Sequence, residues 1–191
     1  MIRKMFFAVA LVALGLPLSA QKYDAMADKS VVKWTGKKIA YSHWGTVALK
    51  QGVFEIKDNK FVSGKFVVDM NAMVCDDIED AARNTRLIGH LKSDDFFSVE
   101  THPEAHLTIK SSTPLKDSKA TVEADLTIKG KTHPVTFEVT QSGATFKASV
   151  VFDRSNYDVR FGSNKFFDNL GDNAIANEIT LDVTVVAMRQ K

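Results

Sequence analysis

TVEADLTIKGKTHPVTFEVTQ, residues 121–141, sets the rhythm by which the whole chain is read. Val122, Ala124, Leu126 and Ile128 share one parity, against Thr121, Glu123, Asp125, Thr127 and Lys129 on the other. That period of two gives a strand one apolar face and one wet face. Gly130 opens a turn expected to end at Pro134. The chain then returns with Val135, Phe137 and Val139 inward against Thr136, Glu138 and Thr140, so the stretch reads as an antiparallel hairpin.

The same alternation spreads in both directions. After a turn at Ser142-Gly143, Ala144 to Asp153 presents Phe146, Ala148, Val150 and Phe152, and Glu178 to Met188 presents Ile179, Leu181, Val183 and Val185. Toward the N-terminus, His106 to Lys110 offers Leu107 and Ile109, and Lys60 to Met70 offers Phe66, Val68 and Met70 behind an Asp58-Asn59 turn. Val53 to Lys57 carries Phe54 and Ile56, and Thr46 to Gln51 carries Val47 and Leu49. Ser30 to Gly36 puts Val32 and Trp34 on one parity. Lys37 to Trp44 puts Ile39, Tyr41 and His43 on the other, with a bulge near Gly36 to reset the face.

About eight strands with short connections are antiparallel, each with one oily face. Such a sheet must close or be covered. Closure into an eight-stranded barrel removes the exposed edges and leaves an interior wide enough for side chains or one small ligand. A two-sheet sandwich is the competing arrangement, but it offers no natural berth for the one segment that breaks the rhythm. In DDIEDAARNTRLIGHLKSDDFFSVETHP, residues 76–103, Ile78, Ala81, Ala82, Leu87, Ile88 and Leu91 fall at helical spacing. Asp76, Asp77, Glu79 and Asp80 crowd the proposed first turn, a solvated helix start, while Arg83, Arg86 and Lys92 follow in the order the helix dipole favours. Ser93 is read as capping a second short turn that carries Phe96 and Phe97, and Pro103 ends the segment. One inserted helix in an all-β chain is expected to plug or lid the barrel.

Arg3 and Lys4, the apolar run from Met5 to Leu16, and the small residues ending at Ala20 form a signal peptide pattern, with cleavage expected after Ala20. The run is too short to span a bilayer, which takes roughly 20 residues, so the product is expected to be periplasmic or secreted and not an integral membrane protein. Residues 21–191 are then enough for one domain, and no internal repeat divides them. The formal charge of +2 includes Arg3 and Lys4, leaving the exported part neutral and a poor match for nucleic acid. The single cysteine, Cys75, cannot form an internal bridge and reads as a small residue near the helix start.

Chemistry-bearing patterns are sparse. His102 and His106 have i,i+4 spacing, but Pro103 spoils a helix there, so no zinc site is expected. The acidic cluster lacks EF-hand spacing, and no Gly-x-Ser-x-Gly elbow occurs. No catalytic residue and no metal ligand is therefore assigned.

Several ordered blocks carry a resemblance: HWGTV at 43–47, LIGHLKSDDFFSVETHPEAHLTI at 87–109, ADLTIKGKTHPVTFEV at 124–139, FDRSNYDV at 152–159 and ANEITLDVTVV near the C-terminus. Together they resemble the YceI-like family over nearly the whole exported part. The resemblance implies an exported bacterial protein with a lipocalin-like antiparallel β-barrel that holds a long apolar ligand, typically a polyisoprenoid, along its axis. Ligand-binding candidates are then Trp34, Ile39, His43, Val47, Phe54, Phe66, Val68, Leu91, Phe97, Leu126, Ile128, Phe137, Val139, Phe146, Val150, Phe152, Leu181 and Val183. All but His43 are also what a solid hydrophobic core would use. The resemblance places a histidine at position 43 too, where it reads first as a hydrogen-bonding structural group and second as a head-group contact. The segment DVRFGSNKFFDNLGDNAIA, residues 158–176, is longer than the short turn of the simplest relatives, and its Phe161, Phe166, Phe167 and Leu170 form either a flap over the mouth or a satellite cluster.

The reading is a carrier or store of an isoprenoid-type lipid without chemistry of its own. No cofactor is expected beyond a bound lipid such as a polyisoprenoid or isoprenoid quinone. Transient membrane contact is compatible with this, and monomer and homodimer both stay open. A partner protein with a filled core is the alternative, and an enzyme acting on a lipid or quinone comes third.

Overall fold

The computed structural model describes residues 20–38 and 41–191. The proposed leader up to residue 19 and the candidate lining residue Ile39 lie outside the described residues. The strands are β1 (Gln21–Ala25), β2 (Val31–Lys38), β3 (Ser42–Lys57), β4 (Lys60–Asp69), β5 (Glu104–Ser112), β6 (Lys119–Ile128), β7 (Lys131–Ser142), β8 (Thr145–Asp153) and β9 (Ile175–Arg189). From β2 onward each strand pairs antiparallel with its successor, and β9 returns to β2, which closes the sheet. β1 pairs with the far ends of β3 and β9, the same two strands that flank β2. The two segments therefore share one stave, broken by a short turn at Ala27–Lys29, and the barrel is eight-stranded in cross-section.

Local chemistry explains where the strands differ from the sequence reading. Thr46 to Gln51 and Val53 to Lys57 are one sixteen-residue strand, β3. Its inward residues have odd numbers through Leu49 and even numbers from Gly52, and a bulge between Leu49 and Gln51 absorbs the change of face. Lys37 to Trp44 is not a strand of its own. β2 runs to Lys38 with a register shift against β9 between Gly36 and Lys38, and β3 starts at Ser42. The turn after Gly130 is also tighter than expected: Lys129 and Gly130 both have positive φ, at 52° and 70°, and pairing resumes at once between Ile128 and Lys131. Pro134 consequently sits inside β7. Counting from the turn-closing pair, Asp125–Pro134 is a non-hydrogen-bonded pair, so the missing N–H faces β8, whose pairing with β7 begins only at Val139.

The inserted helix, α1, spans Ala81–Lys92 and starts later than the spacing suggested. Asp80 caps it by accepting from the Arg83 N–H at 2.8 Å, which leaves Ala81 and Ala82 exposed on the outer surface. Ser93 closes this helix instead of opening a second one: its hydroxyl donates to His90 O at 2.8 Å, and its carbonyl accepts from Phe96 N. The buried turn 96–99 then tucks both phenylalanines under the helix end. α1 lies over one end of the barrel and presents Leu87, His90 and Leu91 to the interior.

The opposite end is closed by aromatic rings. Phe54 stacks on Tyr23 at 5.0 Å and meets Phe146 edge-on at 4.9 Å, with Phe61 5.8 Å from Phe54. Stacked and edge-to-face contacts of this kind fill space densely, so the barrel has a solid floor and a mouth under α1.

Candidate functional site

Between mouth and floor the barrel is hollow. An outer cavity of about 250 Å³ lies under α1, and an inner chamber of about 120 Å³ lies between it and the aromatic floor. Inward parity from the strands supplies the outer wall: Trp34 from β2, Val47 from β3, Val68 from β4, Leu126 and Ile128 from β6, Phe152 from β8 and Leu181 from β9. Leu91 and Phe97 roof it, and His43 stands at its rim. Phe54, Phe66, Phe137, Val139, Phe146, Val150 and Val183 line the inner chamber. Every candidate within the described residues thus borders one of the two spaces, the strand residues because alternation places them on the inner face, and Leu91 and Phe97 because α1 and the turn after it cover the mouth.

The candidate set left out some inward residues that the alternation had shown, Val32, Met70 and Ile179 among them, and also residues that alternation does not govern. Met70 and Met73 reach the outer cavity from the connector after β4, Phe96 and Phe161 reach it from loops, and Ile175 reaches it from the start of β9. Lys37, Lys38 and Tyr41 border it at the β2–β3 hairpin tip. The clustering of Phe161 with Phe166, Phe167 and Leu170 was a signal for the first of these. In the structure they part company. All three rings are exposed, but Phe161 meets His90 edge-on at 4.4 Å and borders the mouth, whereas Phe166 and Phe167 do not line it, and the Arg160 guanidinium lies 5.1 Å from the Phe166 ring.

The polar constellation at the rim is built by the HWGTV block. Gly45 is required by a close approach: a Cβ there would lie 1.9 Å from the Val74 carbonyl oxygen. Because it is absent, the connector from Val74 to Asp76 lies directly on β3, with Val74 N donating to Thr46 O and Asp76 N to Trp44 O, both at 2.9 Å. This brings Asp77 to His43. Its carboxylate contacts His43 Nδ1 at 2.7 Å and accepts from the Trp44 N–H at 2.9 Å and Cys75 Sγ at 3.2 Å. The Asp77 side chain is only 8% exposed, so it is not the solvated helix-start residue expected from the acidic run. Burial on its own would raise its pKa, but the three donors outweigh that and hold the carboxyl below its ordinary range. Burial and the Asp77 carboxylate push the Cys75 thiol up, which suits a structural donor and not a nucleophile.

A second polar feature was not foreseen. Arg154, in a short turn after β8, is fully buried. Its Nη1 donates to Val159 O at 2.9 Å, its Nη2 to Ile175 O at 3.1 Å and its Nε to Ala176 O at 3.0 Å. One side chain therefore clamps both feet of the long loop before β9, and it lies 5.4 Å from the Phe96 ring of the cavity roof. Burial lowers its pKa, and neighbouring Asp153 opposes that. Beside it, Tyr157 packs edge-on to His133 and Phe152, with its hydroxyl buried and unpartnered. Burial pushes that hydroxyl up to about 12. No group of three His, Cys, Asp or Glu side chains is placed to hold a metal among the described residues.

Comparison with known proteins matches this architecture. The profile of the YceI-like domain covers residues 23–187. UPF0312 proteins from Pseudomonas putida strains F1 and KT2440 are each 27% identical, with both chains covered completely. Among solved structures, Burkholderia cenocepacia BcnA superposes with a TM-score of 0.64 at 25% identity, over 86% of this chain and 100% of that one. A polyisoprenoid binding domain from Saccharophagus degradans superposes with a TM-score of 0.59 at 15% identity, over 88% of this chain and 98% of that one, which speaks to the fold.

Proposed function

The chain belongs to the YceI-like domain family, and from that premise we propose that it is an exported binding protein which encloses the apolar part of an isoprenoid-type lipid, for storage or transport, without transforming it. The observation that carries this reading is the apolar cavity opening under α1. A barrel built only for stability would fill such a space, because each empty volume forfeits packing contacts. Each methylene-sized group moved from water into the cavity contributes roughly 0.8 kcal/mol, so an apolar chain needs no charged partner to bind.

Lys37, Lys38, Tyr41 and His43 border the outer cavity at its rim, which orients an amphiphile tail-first with its head group near them. Since Asp77 occupies His43 Nδ1, the ring's other nitrogen, Nε2, is the atom a head group would meet. Export is supported by the charged, apolar and small-residue segments of residues 1–20. The exposed Tyr41, Phe166 and Phe167 on loops at that end suit transient contact with a membrane during loading.

Native mass spectrometry of the protein purified from a bacterial periplasm, followed by organic extraction, tests the proposal. A stoichiometric adduct lost on extraction, with the mass of a prenyl lipid, is the expected result. Apoprotein mass alone, together with failure to take up added polyprenol or isoprenoid quinone, would overturn it in favour of a partner protein.

A further inference from the structure

Four residues border both the outer cavity and the inner chamber: Val32, Val68, Leu126 and Leu181. They come from β2, β4, β6 and β9, so they approach the axis from around the wall and form a waist. We propose that this waist, with the aromatic floor beneath it, measures the ligand's chain, and that the protein encloses a short prenyl chain while any longer tail stays outside. The inference rests on the binding reading above and specifies the class of ligand it takes.

The volumes set the length. At roughly 30 Å³ for each water-sized group, the outer cavity of about 250 Å³ takes one to two isoprene units, and the chamber of about 120 Å³ takes about one more. The floor then stops the chain, since Phe54, Phe61 and Phe146 lie 4.9–6.0 Å apart and Tyr23 backs Phe54. The waist itself divides into fixed and movable parts. Val32 and Val68 are β-branched, which restricts χ1. Leu126 and Leu181 have a second torsion beyond the branch-free Cβ, so they can swing aside as the chain passes.

The test is a titration of the mature protein with geraniol, farnesol and geranylgeraniol, which carry about two, three and four isoprene units, read by native mass spectrometry and competition with a fluorescent fatty acid. For the unsubstituted protein, affinity should rise at least about tenfold from geraniol to farnesol and change by less than about threefold thereafter, because only the first three units leave water. Val68→Phe, which narrows the waist, should remove the gain in affinity from geraniol to farnesol. Leu126→Ala with Leu181→Ala should create a gain at geranylgeraniol that the unsubstituted protein lacks, with thermal melts of both variants verifying that they fold. If all three alcohols bind and both folded variants keep the original chain-length profile, the waist is not the gauge and the proposal is wrong while the binding reading stands. If none of the alcohols binds the unsubstituted protein, the binding reading falls and the gauge falls with it.

Discussion

Replacing Arg154 with methionine tests whether one buried guanidinium holds the mouth loop in place. Methionine keeps much of the apolar stem and donates nothing, so the carbonyls of Val159, Ile175 and Ala176 lose the donors now at 2.9, 3.1 and 3.0 Å. A buried carbonyl left without a partner costs about 1–3 kcal/mol. Two effects reduce the total: the guanidinium no longer has to be desolvated, and the loop can lift so that its carbonyls reach water. The expected net loss is about 3 kcal/mol. For a chain of this size each kcal/mol shifts the melting temperature by about 2–4 °C, which gives a fall of roughly 6–12 °C. Circular dichroism melts would measure it. Limited proteolysis provides a second readout, because freeing both feet should expose the backbone between Arg160 and Ala174 to cleavage. The substitution Arg154→Lys should recover only a small part of the loss, since one ammonium cannot reproduce the planar fork. A methionine variant that melts within about 2 °C of the unsubstituted protein, with an unchanged digestion pattern, would show that other contacts hold the loop, such as the 2.8 Å bond from Ile175 N to Gly162 O.

Tyr157→Phe removes a buried hydroxyl without a partner and should raise stability at neutral pH by about 1 kcal/mol. Because the folded-state pKa is raised from 10.0 to about 12, the tyrosine's contribution is full below 10.0 and lost as pH rises through about 12. Melts across that window should therefore fall more steeply for the unsubstituted protein than for the variant, and parallel curves would sink the assignment. Asp77 has the opposite sign: its pKa is lowered from 3.8, so its contribution is present above 3.8 and lost as pH drops through the folded value. Asp77→Asn should cost about 1–3 kcal/mol in urea titrations at neutral pH and flatten the acid limb, and an unaltered acid limb would count against the His43–Asp77 linkage. Gly45→Ala places a Cβ 1.9 Å from the Val74 oxygen and should destabilise by about 1–3 kcal/mol while shifting the His43 ring resonances in NMR spectra. Unchanged resonances would mean that the connector does not depend on that approach.

Much of the barrel could be read in advance because alternation is a local signal. The stretch from Thr121 to Gln141 shows its inward face two residues at a time, and the structure keeps Val122, Ala124, Leu126 and Ile128 buried. The reading failed where local signals compete or end. The face change inside β3 looked like a break between two strands, because a bulge alters parity without any turn residue to announce it. β1 carried too little alternation to be recognised and is a strand because β3 and β9 outrun β2 and leave their edges to be paired. Asp77 looked like one more acid in a solvated run until the connector laid it against a histidine 34 residues earlier.

From the sequence alone follow the class of the fold, the inward identity of most of the lining residues on the strands and the interrupting helix, since each depends on periodicities carried within about ten residues of chain. Only the tertiary structure decided that the interior is divided by Val32, Val68, Leu126 and Leu181, that Phe54, Phe61 and Phe146 close one end, and that Arg154 clamps the mouth loop. Those features are meetings of side chains from strands far apart in sequence. Strand pairing and barrel closure fix which residues share a level along the axis, and no local pattern records that level.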